Sequence, residues 1–239
     1  MIGRQKELKQ LVEQISICNT VLIGAAGTGK TSLINALVNQ YSDKFKPILL
    51  INGRELSDSF DAEFRIWKYI REHSPNTGRR PLVIIDGLDE IPLSSSSPSI
   101  FLDGLARSSE CHFIASTRPN SHTLFSTAMP LDDFRVIELK GFTQQEIFFF
   151  LAQSHMDCST QQVNKLAHLS NGNPLILSVL VNQLKTGMLS WDELSTALNE
   201  FQASGLVHPN GNTIIPSSKA SRSIISDVTF TNKQIWNEL

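Results

Sequence analysis

The segment from Gly24 to Thr31, which reads GAAGTGKT, constrains this chain more than any other. It fits the pattern G-x-x-x-x-G-K-[ST], in which glycines let the backbone wrap closely round a phosphate chain. Residues 21–23 before it predict a short buried strand, and residues 32–38 after it predict a helix. Phosphate binding requires this order of strand, loop and helix, because a helix N-terminus directs N–H groups and a partial positive charge at the phosphates.

The loop residues are therefore predicted nucleotide contacts, together with the residue that follows them. They are Gly24, Ala25, Ala26, Gly27, Thr28, Gly29, Lys30, Thr31 and Ser32. In this pattern the Lys30 ammonium would reach the β- and γ-phosphates, and the Thr31 hydroxyl would bind Mg²⁺. A glycine-rich turn without a ligand would need neither of these two side chains.

Composition excludes several other classes of protein. The chain has 239 residues, 41% hydrophobic and 18% charged, with a net charge of −2, which is ordinary for a globular protein. It has no basic excess with which to neutralise nucleic acid. No apolar run approaches the ~20 residues of a membrane helix, and the N-terminal segment lacks a signal-peptide core. The three cysteines, far apart, predict free thiols, and we expect a cytoplasmic protein.

Strand and helix patterns alternate over the first part of the chain. Strands are predicted at residues 21–23, 47–52, 82–85, 112–116 and 135–139, and helices at 6–17, 32–38, 60–73 and 100–107. Such alternation predicts an α/β fold with a mostly parallel five-stranded sheet flanked by helices. Ligands of these folds bind at the carboxyl ends of the strands, where the motifs of this chain fall.

The alternation stops near Gly141. From Thr143 the pattern predicts helices only, and after Gly205 it predicts a small hairpin and the start of a truncated helix. We therefore expect three parts: a nucleotide-binding domain over 1–141, a small helical lid domain over 142–204, and a C-terminal region over 205–239.

A second motif follows the third predicted strand, LVIIDGLDE over 82–90. A buried strand that ends in Asp is typical of phosphate-loop enzymes, where the carboxylate holds Mg²⁺, and Asp86 is predicted to do so. Asp89 and Glu90 lie close behind it, and one of them would orient or deprotonate the attacking water. Glu90 is preferred, although the sequence leaves the choice between them open.

A third motif, Ser116-Thr117-Arg118-Pro119, ends the fourth predicted strand. An arginine there would sit beside the γ-phosphate and report whether it is present, because its fork binds phosphate oxygens in two places. Arg118 is therefore a predicted site residue, against the alternative of a surface arginine before a proline turn. No Asn-Lys-x-Asp guanine signature occurs in the sheet domain, which favours ATP over GTP.

At these places the chain resembles the STAND class of signalling ATPases, and its NACHT branch in particular. The resemblance rests on DGLDE over 86–90, on Thr117-Arg118-Pro119 and on Gly172-Asn173-Pro174-Leu175, whose proline packs on the adenine in the family. Gly3-Arg4-Gln5 also resembles the Gly-Arg segment that lies near the base in STAND and related AAA+ ATPases. The resemblance thus adds Pro174 and Arg4 as expected nucleotide contacts. In the family a winged-helix domain follows, which implies a partial winged-helix-like tail here.

The resemblance implies an ATP-driven switch with ATP/ADP and Mg²⁺ as ligands. Hydrolysis would be slow, and nucleotide state would control opening, self-association and activation of an effector in innate-immune or anti-phage signalling. Effector or sensor domains would come from outside this chain, the ATP-bound form would be a homo-oligomer, and no membrane would be involved. The alternative is an AAA+-type motor or loader acting on nucleic acid, which the charge balance disfavours.

Overall fold

The computed structural model describes residues 3–77, 80–91, 110–119 and 134–196. These residues fall into two compact units, one from Gly3 to Lys140 and the other beginning at Gly141. No helix in the described ranges is both long and apolar enough to cross a membrane. The predicted helix over 100–107 and the predicted C-terminal region over 205–239, with its winged-helix-like tail, lie outside the described residues.

A five-stranded parallel sheet forms the centre of the first unit, as predicted. Its strands are β1 (Asn19–Ile23), β2 (Ile48–Asn52), β3 (Leu82–Asp86), β4 (His112–Thr117) and β5 (Phe134–Glu138). Their order in space is β2-β3-β4-β1-β5, and all four pairings are parallel. The carboxyl ends of all five strands therefore meet at one edge, and the loops that leave that edge can act on one ligand.

The three inner strands, β1, β3 and β4, are buried on both faces of the sheet. Successive side chains of a strand point to opposite faces. On β1, Leu22 packs with α1 (Gln5–Ile15) and α2 (Lys30–Phe45), whereas Val21 and Ile23 pack on the other face. That other face is covered by α3 (Ser59–Thr77). Helices thus cover both faces, as a parallel sheet of continuous apolar strands requires.

The structure corrects two predictions about α3. The spacing of Phe60, Phe64, Trp67 and Ile70 predicts that they share one face of this helix, but Phe60 and Phe64 are 60% and 69% exposed. The buried face instead carries residues spaced four apart, Ala62, Ile66 and Ile70, with Trp67 partly buried beside them. The helix also continues to Thr77, four residues beyond its predicted end at residue 73.

The second unit is helical, with α4 (Gln144–Gln153), α5 (Thr160–Ser170), α6 (Pro174–Thr186) and a further helical stretch at 191–196. Local signals in the sequence set where these helices begin. Thr143 and Glu146 form a capping box at the start of α4, with the Glu146 carboxylate accepting the Thr143 N–H at 2.7 Å. The helices pack around their own apolar core, which includes Phe142, Leu166 and Leu177.

Two glycines bring the ends of β2 and β3 together. Gly53 follows β2 and Gly87 follows β3, and a Cβ at Gly53 would lie 2.0 Å from the Gly87 carbonyl oxygen. Asn52 is the register partner of Asp86, so this contact continues the strand pairing into the two loops. The close approach sets how near the residues after β2 come to those after β3.

We expect Gly53→Ala to lower the free energy of unfolding by about 2–3 kcal/mol, because backbone atoms must move to admit the methyl group. Gly187→Ala is the matched control. Gly187 differs from Gly53 in having a left-handed backbone (φ +72°), but a Cβ there meets nothing within 4 Å, so alanine costs only about 1 kcal/mol of conformational strain. Urea unfolding of both variants measures the difference. Equal losses would show that the Gly53–Gly87 contact imposes no constraint.

Candidate functional site

The phosphate loop connects β1 to α2, as its motif predicts. Gly29 has φ +93°, in the left-handed region that favours glycine, and α2 begins at the next residue. Gly24 is also needed, because a Cβ there would lie 2.6 Å from the Thr28 hydroxyl and 2.8 Å from the Leu139 carbonyl oxygen. Within the loop, the Thr28 hydroxyl donates to the Ala25 carbonyl at 2.9 Å. The sequence thus folds into a compact loop that leads directly into the helix N-terminus.

Lys30 lies in the first turn of α2, with its ammonium folded back over the loop. The Nζ atom donates to the carbonyl oxygens of Gly24 at 2.7 Å and Ala25 at 3.1 Å. Burial lowers the pKa of Lys30 below its usual value, whereas the charges of Asp89 and Asp86 partly oppose that shift. Because the buried ammonium has lost much of its hydration and is bonded only to neutral carbonyls, it would gain by exchanging them for charged phosphate oxygens.

Asp86 ends β3 and is held by a side chain of the neighbouring strand. The Ser116 hydroxyl, on β4, donates to Asp86 Oδ1 at 2.5 Å and accepts the Gly87 N–H at 2.8 Å. Ser116 is 1% exposed, so this geometry is enclosed by protein. Ser116 therefore fixes both the Asp86 carboxylate and the turn that follows it. Its role was not predicted from the sequence, because it depends on β3 and β4 being neighbours.

Glu90 is bound by two arginines. Its carboxylate accepts from Arg54 Nε at 2.5 Å and Nη2 at 2.7 Å, and from Arg118 Nη2 at 2.8 Å. Arg118 also forms an ion pair with Asp89 at 3.3 Å, and its backbone N–H donates to the same carboxylate. We call these four residues, Arg54, Asp89, Glu90 and Arg118, the arginine–carboxylate cluster. Both acids predicted to act on water are thus engaged by arginines.

Arg54 was not predicted as a site residue. It lies in a single 3₁₀ turn, Gly53–Glu55, that begins where β2 ends and is capped by the Asn52 side chain, which accepts the Arg54 N–H at 3.1 Å. The bond to Glu90 raises the pKa of Arg54, since it favours the charged form. The signal that would have found Arg54 is strand order, because β2 lies beside β3 and carries its following residues to the same edge.

Arg4 and Pro174, the two contacts expected from the resemblance, lie in different units. The Arg4 side chain is buried, and its guanidinium donates to Glu7 at 2.8 Å, to the Thr28 carbonyl at 3.1 Å and to the Lys140 carbonyl. In the second unit, Pro174 begins α6, and the Asn173 side chain caps that helix. The roles of both residues toward a nucleotide remain predictions.

The structure brings most of the predicted site residues to one edge of the sheet. The loop residues follow β1, and Thr31 and Ser32 lie in the first turn of α2. Asp86 ends β3, Asp89 and Glu90 follow it, and Arg118 follows β4. The charges of Asp89, Asp86 and Glu90 oppose the lowering of the Lys30 pKa by burial, as expected for acids that lie near the loop. Their assignment as nucleotide or metal contacts remains a prediction.

The donor set fits Mg²⁺. The described residues contain no group of three His, Cys, Asp or Glu side chains that would hold a metal by themselves. Mg²⁺ needs no such cage, because it takes one or two protein oxygens and completes its shell with water and phosphate oxygens. The Thr31 hydroxyl and the Asp86 carboxylate would supply those protein oxygens. When bound, the ion would neutralise charge on the phosphates.

The fold and site define a phosphate-loop ATPase. The sequence model of the NACHT domain family matches residues 19–157, which is more than half of the chain. The chain therefore belongs to the NACHT family, and the resemblance to that family inferred from the motifs is confirmed. A comparison with curated proteins gave no match.

Solved structures share the fold. A Walker-type ATPase of Pyrococcus abyssi aligns with TM-score 0.60 and 16% identity, over 87% of this chain and 73% of that chain. A STAND protein of Pyrococcus horikoshii with a tetratricopeptide repeat sensor aligns with TM-score 0.51 and 19% identity, over 81% of this chain and 33% of that one. The RuvB Holliday junction branch migration motor of Thermotoga maritima aligns with TM-score 0.51 and 14% identity, over 96% and 70%. At these identities the likeness shows the fold alone.

We expect Lys30→Ala to abolish nucleotide binding while leaving the melting temperature at pH 7 unchanged or higher. The variant loses the phosphate-binding charge, but it also removes the cost of holding that charge in a buried position. Titration with fluorescent ADP and thermal unfolding measure the two effects. Lys9→Ala, which removes an exposed lysine of α1, is the control. Unchanged ADP affinity in Lys30→Ala would contradict the assignment of the loop.

Proposed function

We propose that this ATPase is a slow ATP-hydrolysing signalling switch. Its nucleotide state would control opening, self-association and activation of an effector, in innate-immune or anti-phage defence. Membership of the NACHT family supports nucleotide-dependent ATPase chemistry, and the arginine–carboxylate cluster supports the switch. The division into a nucleotide-binding domain over 1–141 and a helical lid over 142–204 is part of this proposal.

The observation that carries the proposal is the double engagement of Arg118. This arginine, expected to report the γ-phosphate, is bound to the two acids expected to act on water, Asp89 and Glu90. Its side chain is 48% exposed, so it can leave these partners without breaking a core. A γ-phosphate oxygen would compete with the carboxylates for Arg118, since guanidinium binds phosphate at least as well. ATP and ADP would then favour different arrangements of the cluster.

The remaining residues have roles that follow from this competition. The loop N–H groups and Lys30 would hold the phosphates, and Thr31 and Asp86 would hold the metal ion. Glu90, once released from Arg118, would accept a proton from the attacking water. Arg54 would still hold its carboxylate at two oxygens, which keeps Glu90 a weaker base and hydrolysis slow. A nucleotide shifts such an equilibrium only by its differential affinity for the two arrangements.

The first test measures ATP and ADP binding with Mg²⁺ and follows assembly size in the same samples. The switch predicts tight ADP binding, slow turnover and a larger assembly with ATP than with ADP. Rapid turnover that DNA or RNA stimulates would overturn the proposal in favour of a nucleic-acid motor. Binding of both nucleotides with no change in assembly would remove self-association from it.

Arg54→Ala should raise the rate of ATP hydrolysis about fivefold, the factor that corresponds to loss of one partly exposed ion pair. The reason is that Glu90, already released from Arg118 when ATP is bound, would lose its two remaining hydrogen bonds to arginine and become a more available base. Single-turnover hydrolysis at saturating ATP measures this rate. A fall in rate would instead show that Arg54 itself acts on the nucleotide.

Two further variants separate the possible causes. Arg65→Ala breaks a similar two-bond pair with Asp61 on α3, and it should leave hydrolysis unchanged. Arg118→Ala also releases Glu90 but removes the proposed γ-phosphate contact. The affinity of Arg118→Ala for ATP should therefore fall toward its affinity for ADP. Arg54→Ala should keep the wild-type difference between its affinities for ATP and ADP.

A further inference from the structure

Arg4 is a buried arginine on the side of the phosphate loop that faces the protein. It is 4% exposed, and it precedes the first residue of α1. Its Nη1 atom donates to the Glu7 carboxylate at 2.8 Å, while its Nη2 atom donates to two backbone carbonyls, those of Thr28 and Lys140. Burying a cation is costly unless it is paired and hydrogen-bonded, and here it has both kinds of partner. The charged guanidinium of Arg4 is thus hydrogen-bonded to the main chain of the loop.

The carbonyl that Arg4 holds belongs to a peptide unit with a second function. The Thr28 oxygen and the Gly29 N–H share one planar, trans peptide, so they point in opposite directions. Fixing the oxygen toward Arg4 therefore fixes the Gly29 N–H away from Arg4. Gly29 is the N-cap of α2, and the N–H groups at such a terminus serve as anion ligands. A donor on the carbonyl also polarises the peptide and strengthens its N–H as a donor.

We propose that Arg4 is a positioning residue for the phosphate loop: through the Thr28 carbonyl it orients and polarises the Gly29 N–H toward a nucleotide phosphate. This inference rests on the proposed nucleotide site and deepens it. Arg4 acts through the peptide and does not itself touch the phosphate. It differs from the contact with the base that the resemblance led us to expect for this residue.

The surroundings of Arg4 hold its guanidinium in place. Helix α1 is anchored by Leu8, Leu11 and Ile15, all buried in the core that α2 also enters. The ion pair with Glu7 lies one turn into the same helix and fixes the plane of the fork. Arg4, α1 and α2 therefore form one rigid frame. A flexible lysine has no such fork and would hold the carbonyl with less directional precision.

The test compares Arg4→Ala and Arg4→Lys with wild type in the full chain. ADP dissociation constants should rise about tenfold in Arg4→Ala, the effect expected when one charge-assisted hydrogen bond is lost, and less in Arg4→Lys. KM for ATP should rise while kcat changes less than KM, since the phosphate-binding loop is affected and Glu90 is not. Arg135→Ala, at an exposed position of β5, is the control for loss of one arginine.

A spectroscopic measurement reads the peptide directly. Protein labelled with ¹³C at threonine carbonyls and ¹⁵N at glycine shows only amides of Thr-Gly pairs, which are Gly29, Gly78 and Gly187. Thr28→Ser erases the Gly29 signal and so identifies it. In nucleotide-free Arg4→Ala the Gly29 nitrogen should move to lower chemical shift, because its peptide is less polarised. The Gly187 signal, in the second unit, is the internal reference.

The outcomes separate this inference from the proposed function. Failure of wild type to bind any nucleotide would overturn the proposed function, while a Gly29 shift in Arg4→Ala would still support the effect on the peptide. If wild type binds ADP and Arg4→Ala binds it equally well with an unmoved Gly29 signal, the inference alone is overturned. A lower melting temperature with unchanged Gly29 shift and unchanged KM would show a purely structural role and would also overturn it.

Discussion

The parallel register of the five strands is the constraint on which the site depends. Because every strand runs the same way, the residues that follow β1, β2, β3 and β4 emerge at one edge, although they lie up to 94 positions apart, from Gly24 to Arg118. The sheet can be parallel only because both of its faces are covered, by α1 and α2 on one side and α3 on the other. The core therefore does more than stabilise the fold, since it places a cation, a carboxylate and an arginine round one loop.

Much of this arrangement could be predicted, because it is determined by residues that are close together in the sequence. Four of the five strands contain a run of three or four apolar residues, and the phosphate loop has a fixed spacing, so both can be read without knowledge of the fold. The helix starts of the second unit follow from caps such as Thr143 with Glu146. In each case the residues that determine the feature are near one another in sequence.

The missed features depend on which strands and helices are neighbours in space. Arg54 joins the site because β2 lies beside β3, and Ser116 holds Asp86 because β4 lies beside β3. Periodicity also failed for α3, where Phe60 and Phe64 fit an apolar stripe but the sheet covers the face of Ala62 and Ile66. Strand order and the choice between two apolar faces are set by packing across the whole unit, which no local pattern reports.

The arginine–carboxylate cluster has a consequence for how the protein responds to its solution. Its pairs lie near the surface, with Arg118 48% and Arg54 35% exposed, so dissolved ions reach them. Charges at such positions are screened over about 8 Å at physiological ionic strength, and over about 3 Å at 1 M salt. Salt would weaken the hold of both arginines on Glu90 without touching the buried frame of Arg4 and the loop. Ionic strength therefore shifts the ion pairs of this cluster, as a nucleotide would. Hydrolysis rates measured at different salt concentrations thus describe proteins in which Glu90 is held to different extents.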